Sequence, residues 1–475
     1  MTLILRTPLL ALGLTLALTA CGRAAPLTEQ EQRTVTELTS HMKTRCVGRY
    51  LIDLPADVQT SGRATLQGVQ VSTEKMTQQE FLKEMQQRET ELRAMKHLKG
   101  YLFFYGDSEA YVNKSAAAST RKEGIWYFIH MRAIYEAPSH RTIEVYKWDR
   151  GVRLKLEISA SDFTRPDQSE DSIVKQLPPE DRNDVGQILF NTLYLARHFQ
   201  GRADDDIPTG PGVCFEGGFI AGAASDKERI DTDFWSASKP DIRFNITTDS
   251  SHGEAETLLQ RGDQINEALK LRKGSTVRKG SVDLPDLSQP EEWLMSGMTN
   301  SQIAGHHFAL EANSRNSSAK TPLMILEMDN GVFPSNILEA ERTKASLTEG
   351  EAVALWDAVS RTIRVRPGAM DAMPLPPVAR SKLSVPAVSS GQACPEDGYW
   401  TGYCDGKRFH RLFFKGDVMP TVEVMQTVPY RWLPTRINAW LAQRELLPMV
   451  KVEREVRWHL DSFLSSQTSL GNSST

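Results

Sequence analysis

Cysteines, histidines and clustered charges are the residues through which this 475-residue chain would do chemistry. The five cysteines stand at 21, 46, 214, 394 and 404, with no Cys-x-x-Cys pair and no histidine at zinc-finger spacing from any of them. His306 and His307 are adjacent in the run HHFALEA, where a two-residue period sends their rings to opposite faces of a strand and excludes joint metal ligation. Asp204, Asp205 and Asp206 are contiguous, whereas calcium loops draw ligands from alternating positions, so this run reads as a solvated hinge. There is no Gly-x-Ser-x-Gly elbow, no His-Glu-x-x-His, no phosphate loop and no dinucleotide fingerprint. The sequence therefore nominates no catalytic residue, no metal ligand and no cofactor. A hydrolytic triad assembled only in space is the one catalytic route that needs no local signature. The candidate partner contacts are basic. Lys270, Arg272, Lys273, Arg278 and Lys279 flank a Gly-Ser turn, reading either as a solvated hairpin end or as a match for an acidic protein surface.

Cys21 stands apart from the other four cysteines. Arg6 precedes an apolar run, Leu9 to Leu18, and then small residues lead to Cys21. That order is an export signal, too short to remain as a membrane span. Leu18-Thr19-Ala20-Cys21 resembles the bacterial lipobox, which implies that Cys21 becomes the acylated first residue. The following Gly22-Arg23, with no aspartate, points to the inner leaflet of the outer membrane, facing the periplasm. No second apolar run approaches the ~20 residues a membrane helix needs. The formal charge of −4 and the scarcity of basic runs argue against nucleic acid as a partner. In an oxidising compartment the four remaining cysteines favour disulfides. Three connectivities are possible; the short separation of Cys394 and Cys404 favours that local bridge and leaves Cys46 to Cys214.

The elements around these residues suggest a duplication. The first unit opens RCVGRYLIDLP at Cys46, with a strand from Val47 to Leu54 and another from Gln67 to Ser72. A helix over Gln78–Lys96 carries Phe81, Met85, Leu92 and Met95 at helical spacing, strand-like runs follow to Ile158, and a helix opens near Pro179. The second unit opens GVCFEGGFIAG and repeats the order, with a strand at Ile242–Thr247, a helix over Gly253–Leu271, further strands, and a helix in SLTEGEAVALWDAVSRTI. Cys46 and Cys214 lie 168 apart (214 − 46), and Pro179 and Thr348 lie 169 apart (348 − 179). The reading is α+β: two similar α+β domains in tandem, plus a small disulfide-stapled C-terminal hairpin module. In order, the chain divides into a lipoprotein signal peptide (1–20), an anchor segment (21–40), an N-terminal domain (41–205), a linker (206–212), a C-terminal domain (213–367), a second linker (368–392), the Cys/Trp module (393–430) and a tail (431–475). The linker GRADDDIPTGPG is rich in turn residues, the tail reads as docked on the body, and its last residues read as disordered.

RCVGRYLIDLPADV, CFEGGFIAG, DIRFNITTDS and RTIRVRPG are similar to segments of the two-domain immunity lipoproteins of bacterial type VI secretion. CPEDGYWTGYC…FFKGDVMP resembles a Cys/Trp module appended to some relatives, and the stretch after Pro429 departs from the pattern. The resemblance implies a protein that neutralises a phospholipase effector in the periplasm without catalysis. Two rigid units on a hinge would grip the lipase lid like a clamp, over an interface of roughly 1,600 Å² or more. A structural adaptor lipoprotein of the envelope and a periplasmic hydrolase are the alternatives.

Overall fold

A computed structural model describes residues 26–106, 120–164, 182–334, 344–371, 387–395, 398–404, 407–413, 418–419, 421–428, 447 and 449–463. The signal, Cys21, and the last twelve residues lie outside the described residues.

The segment read as an anchor contains a helix, α1 (Glu29–Thr39), started by a capping box in which Thr28 and Glu31 satisfy each other's backbone N–H groups. The opening apolar run of the first unit is a hairpin and not one strand: β1 (Met42–Val47) turns at Gly48, φ +58°, into β2 (Tyr50–Pro55). Glycine at the first loop position of a tight hairpin takes this conformation without strain. β3 (Val58–Leu66) and β4 (Val69–Lys75) follow, and Thr77 caps α2 (Gln78–Ala94), which buries the expected Phe81, Met85 and Leu92. Met95, the fourth apolar position of that reading, lies past the helix end and is exposed. β5 (Ile125–His130), β6 (His140–Asp149) and β7 (Val152–Ser161) lead to α3 (Val185–Arg197) and β8 (Phe199–Gly201). Pro179, the expected start of α3, lies outside the described residues; the described helix begins at Val185.

The second unit repeats this plan. It runs through the hairpin β9 (Gly212–Phe215) and β10 (Gly218–Ala221), then β11 (Glu228–Ser236), β12 (Ile242–Asp249) and α4 (Gly262–Leu271). β13 (Ser275–Ser281), β14 (Glu291–Met298), β15 (Ala304–Ala312), β16 (Leu323–Asn330), α5 (Glu349–Ser360) and β17 (Arg364–Val365) complete it. The helix expected over Gly253–Leu271 is shortened to its last ten residues. The Glu254 N–H donates to the Ser314 carbonyl and the Leu259 N–H to the Glu291 carboxylate, which takes the preceding segment out of a helical ladder.

The units are not separate bodies. Eleven strands form one sheet in the order β13-β14-β15-β16-β12-β11-β3-β4-β7-β6-β5. Read outward from the β3–β11 pair, β3, β4, β7, β6 and β5 match β11, β12, β16, β15 and β14, so the duplication appears as an approximate two-fold about that junction. The junction is antiparallel over nine residue pairs, from Val58↔Ser236 to Leu66↔Glu228.

The linker read as a solvated hinge is pinned instead. The buried Arg202 donates from Nη1 to the carbonyls of Ala203, Asp204 and Asp206, and from Nη2 to those of Cys46 and Phe215. The buried Arg366 donates to the carbonyls of Pro208, Gly210 and Gly212 at 2.7–2.8 Å. Its pKa is pushed down to about 10, by burial first and then by the neighbouring Arg49 and Arg202. Guanidinium groups are forked donors suited to gathering several carbonyls. Cys46 and Cys214 form a disulfide that joins the two opening hairpins.

The C-terminal module is a four-stranded sheet in the order β18 (Val388–Ser389), β23 (Arg457–Phe463), β19 (Gly398–Cys404) and β20 (Lys407–Phe413), beside the pair β21 (Val422–Thr427) and β22 (Met449–Arg454). The hairpin β19–β20 is present, but the expected staple is not: Cys394 and Cys404 are not bonded to each other. The core comes instead from the segment read as a tail. Strand β23 pairs with β19 and adds a fully buried Trp458 to Trp400, Phe413 and Val456, so the hairpin is not limited to its own few apolar residues.

Candidate partner-binding surface

Cross-strand partners point to the same side of a sheet, so the register assigns every residue a face. The first face is apolar and closed. Val145, Leu156, Val71, Ala64, Ile230, Leu326 and Leu310 lie on it, all buried. Helix α3 covers one flank with Leu189, Leu193 and Ala196. Over the other flank, α5 places Trp356 edge-on to Phe308 at 5.9 Å, with its indole N–H donating to Glu292 at 3.0 Å. The two opening hairpins cover the middle: Glu216 accepts from the Gly62 N–H at 2.7 Å, and Gly48 sits against Thr248. Helix α1 docks on α5, where the Thr348 hydroxyl donates to Glu31 at 2.8 Å.

The second face is polar, and among the described residues only its flanks are covered. Helix α2 lies over β5, β6 and β7, fixed by Arg88 to Glu144 at 2.8 and 3.0 Å. Helix α4 lies over β14 and β15: Gly262 rests against the Trp293 ring and Arg261 pairs with Glu311. Between the helices, β4, β3, β11, β12 and β16 form a floor. At ~4.8 Å per strand it is roughly 19 Å across, wider than one helix. Gln59, Ser61, Arg63, Gln70, Ser72 and Arg243 on it are exposed, and Asp231, Asp233, Trp235, Asn245, Glu327 and Asp329 are half-exposed.

The floor's charges are held by neighbours. Arg243 pairs with Asp233 at 2.8 Å, and Asn245 donates to Asp231 and Asp233. The His307 ring lies 2.8 Å from Asp329 and 3.7 Å from Glu327. Burial opposes a charge on His307, but the hydrogen bond and the attraction of the two carboxylates prevail and raise its pKa. Burial raises Glu327 as well. A cleft of about 480 Å³ opens at one end of the floor between Gln59, Trp235, Pro240, Arg243 and Val332.

The residues singled out in the sequence fall in several places. His306 and His307 do point to opposite faces; His306 meets Asn330 at 2.9 Å, and burial lowers its pKa. The five basic residues are split. Arg278 turns to the apolar face, where it pairs with Asp357 and, at 2.8 Å, with Glu292. Lys279 turns the other way and lies over the Trp293 ring at 3.9 Å. Lys270, Arg272 and Lys273 are exposed together at the end of α4. The floor itself escaped the sequence reading because β3 and β11 were not read as strands. The alternation in ERIDTDFWS and in VQTSGRATL was the available signal. Among the described residues no cluster of three His, Cys, Asp or Glu side chains is arranged to hold a metal.

The site is a broad polar floor on a duplicated α+β body. Two family models match consecutive parts of the chain: the Tle cognate immunity protein 4 N-terminal domain over residues 43–202 and its C-terminal domain over residues 206–368. Together they span about two thirds of the sequence, and the chain belongs to this family of two-unit type VI secretion immunity proteins. Among solved structures it is similar to the apo form of the immunity protein TplEi of the type VI secretion system of Pseudomonas aeruginosa, at 21% identity and a TM-score of 0.52, covering 69% of this chain and 98% of that one. It is also similar to a chain of the Tle4–Tli4 complex, at 22% identity and a TM-score of 0.52, covering 70% of this chain and 99% of that one. No curated protein gives a significant match. The module after residue 371 lies beyond both family models.

Proposed function

We propose that this immunity protein captures a phospholipase effector of type VI secretion on the open floor between α2 and α4 and blocks it by occupation alone. The observation that carries the reading is the unequal cover of the sheet. One face is sealed by helices and hairpins, while five strands of the other keep exposed polar side chains between two raised helices. A floor roughly 19 Å wide accepts a helix or helical hairpin, and with the flanking helices it offers room for an interface of ordinary size, about 1,600 Å² in total. The Tle4–Tli4 complex, one chain of which is similar to this protein, supports an effector as the partner. Because both units share one sheet, the grip is preorganised and does not close about a hinge. Preorganisation lowers the cost of ordering on binding. Lys270, Arg272 and Lys273 at the floor's rim would steer an acidic lipase and act mainly on association. Acylation at Cys21 and residence at the periplasmic side of the outer membrane complete the reading; they are supported by the Leu-Thr-Ala-Cys sequence and by the start of α1 only eight residues after Cys21.

The test is turnover of the cognate lipase against added full-length protein, with ester hydrolysis by the protein alone as the control. Complete inhibition near equimolar protein is expected. Ser61→Arg with Arg63→Glu, both on exposed floor positions, should weaken inhibition at least ~10-fold, or about 1.4 kcal/mol, without changing the melting temperature. Full lipase activity in excess protein, or ester hydrolysis by the protein itself, would reverse the assignment.

A further inference from the structure

At the β5 end of the sheet, away from the floor, two loops form an exposed apolar and cationic tip. Leu98 is 72% exposed, Tyr135 77%, Leu102 56% and Met95 44%. Lys96, Lys99 and Arg132 are exposed beside them; residues 95–106 and 131–135 contain no carboxylate, and that of the adjoining Glu136 is paired with His140 at 2.8 Å.

The tip is built onto the sheet. The Met131 N–H donates to the Phe103 carbonyl at 2.9 Å and the Tyr105 N–H to the Ile129 carbonyl at 2.8 Å, so residues 103–105 run along the edge of β5. The Leu98 N–H donates to the Ile134 carbonyl at 2.9 Å, tying one loop to the other. His97 is buried as the peg beneath: Nδ1 accepts from the Lys99 N–H at 3.1 Å, which leaves Nε2–H to donate to the Glu136 carbonyl at 2.9 Å. The fold thus spends a buried histidine on holding Leu98 and Tyr135 outward.

We propose that this tip is a membrane-docking surface that enters the interfacial layer of an anionic phospholipid bilayer. Protruding leucine, methionine and tyrosine side chains with a lysine and arginine rim are the composition that partitions into headgroup layers, the apolar groups sinking while the cations stay with the phosphates. Each cation near an anionic leaflet adds attraction that salt screens. A protein partner would need a concave pocket matched to four projecting side chains, whereas a bilayer accepts projections of any shape. The surface lies apart from the effector floor, so it would let the protein rest on a membrane with its binding face free. The proposal depends neither on the effector nor on acylation.

The experiment is hydrogen–deuterium exchange of the full-length chain on vesicles of equal phosphatidylglycerol and phosphatidylethanolamine, compared with vesicles of phosphatidylcholine alone. Exchange in residues 95–102 and 131–136 should slow several-fold on the anionic vesicles only, and the slowing should fade in 0.5 M salt, at roughly a 4 Å screening length. Leu98→Asp with Tyr135→Asp should abolish it while thermal melts stay unchanged. Lys96→Glu with Lys99→Glu should abolish it as well, and this pair keeps the apolar side chains. Unchanged exchange on anionic vesicles, or equal slowing on phosphatidylcholine, would overturn the proposal. So would protection that appears only when a lipase is added, which would mark a protein contact.

Discussion

Glu144 has 2% of its surface in solvent and is held by four groups. Arg88 donates to both oxygens, the Tyr146 hydroxyl lies at 3.0 Å, Lys155 at 3.3 Å and the His130 ring at 3.6 Å. Burial pushes its pKa up, but His130, Arg88 and Lys155 together outweigh burial and hold it well below the carboxylate range. The same burial and the adjacent carboxylate push the Tyr146 hydroxyl up. A depressed folded pKa means stability that is present above the ordinary value of ~4.3 and is lost as pH falls through the folded value. Glu144→Gln keeps the shape and removes the charge. It should cost about 3 kcal/mol at pH 7, at the low end for a broken buried pair because Arg88 and Lys155 reach solvent. Urea unfolding should show the gap between the two proteins narrowing as pH drops below ~4; a gap that widened would contradict the assignment. The alternation in HRTIEVYKWD marked a strand in the sequence. That Glu144 meets Arg88 was not legible, because it requires knowing which sheet face α2 covers.

The opening hairpins show where sequence patterns stop. Val47 to Leu54 reads as one strand because period and composition do not change across Gly48, yet the chain reverses there. A side chain at Gly48 would also meet the Thr248 hydroxyl at 2.5 Å, so packing as well as φ demands glycine. The pairing of Cys46 with Cys214 follows in the sequence only from a Cys394–Cys404 bridge that the structure does not form, so its premise failed where its conclusion held. Its use was not legible: Gly48 and Cys214 also exchange backbone hydrogen bonds at 2.7 and 2.9 Å, so the disulfide locks two turns already in register. It closes a separation of 168 residues. Chain entropy alone would credit that loop with about 5 kcal/mol. Because an unfolded chain with residual order has less entropy to lose, Cys46→Ser with Cys214→Ser should cost less, about 3 kcal/mol. The guanidinium midpoint of oxidised wild type against the double variant measures this. A midpoint unchanged by the substitutions would mean that the sheet alone fixes the hairpins. The starts of α2 and α5 were the legible counterpart. Thr77 with Glu80, and Thr348 with Glu351, are capping boxes that a local reading can find because every partner lies within three residues.

At the scale of the molecule, sequence showed two copies of one unit but not how they join. Similar spacing of cysteines and helices establishes repetition, whereas a pairing between strands some 170 residues apart leaves no local trace. Two copies linked by a Gly- and Pro-rich segment therefore suggest a hinge; the nine-pair β3–β11 junction and the arginine-pinned linker replace it with a single sheet. This distinction has a sharp consequence. Hinged domains fold and bind weakly on their own, gaining strength from effective concentration when linked. Halves of one sheet instead expose β3 or β11 as a long bare edge, a template for aggregation. A chain divided after Asp205 should thus give two fragments, each unfolded or aggregated alone, which form a monomeric sheet when refolded together. Since β4 and β3 come from one unit and β11, β12 and β16 from the other, only the rejoined floor should inhibit the lipase. Circular dichroism and size exclusion of each fragment decide it. Cooperative, monomeric folding by either fragment, with partial inhibition of its own, would restore the two-armed clamp.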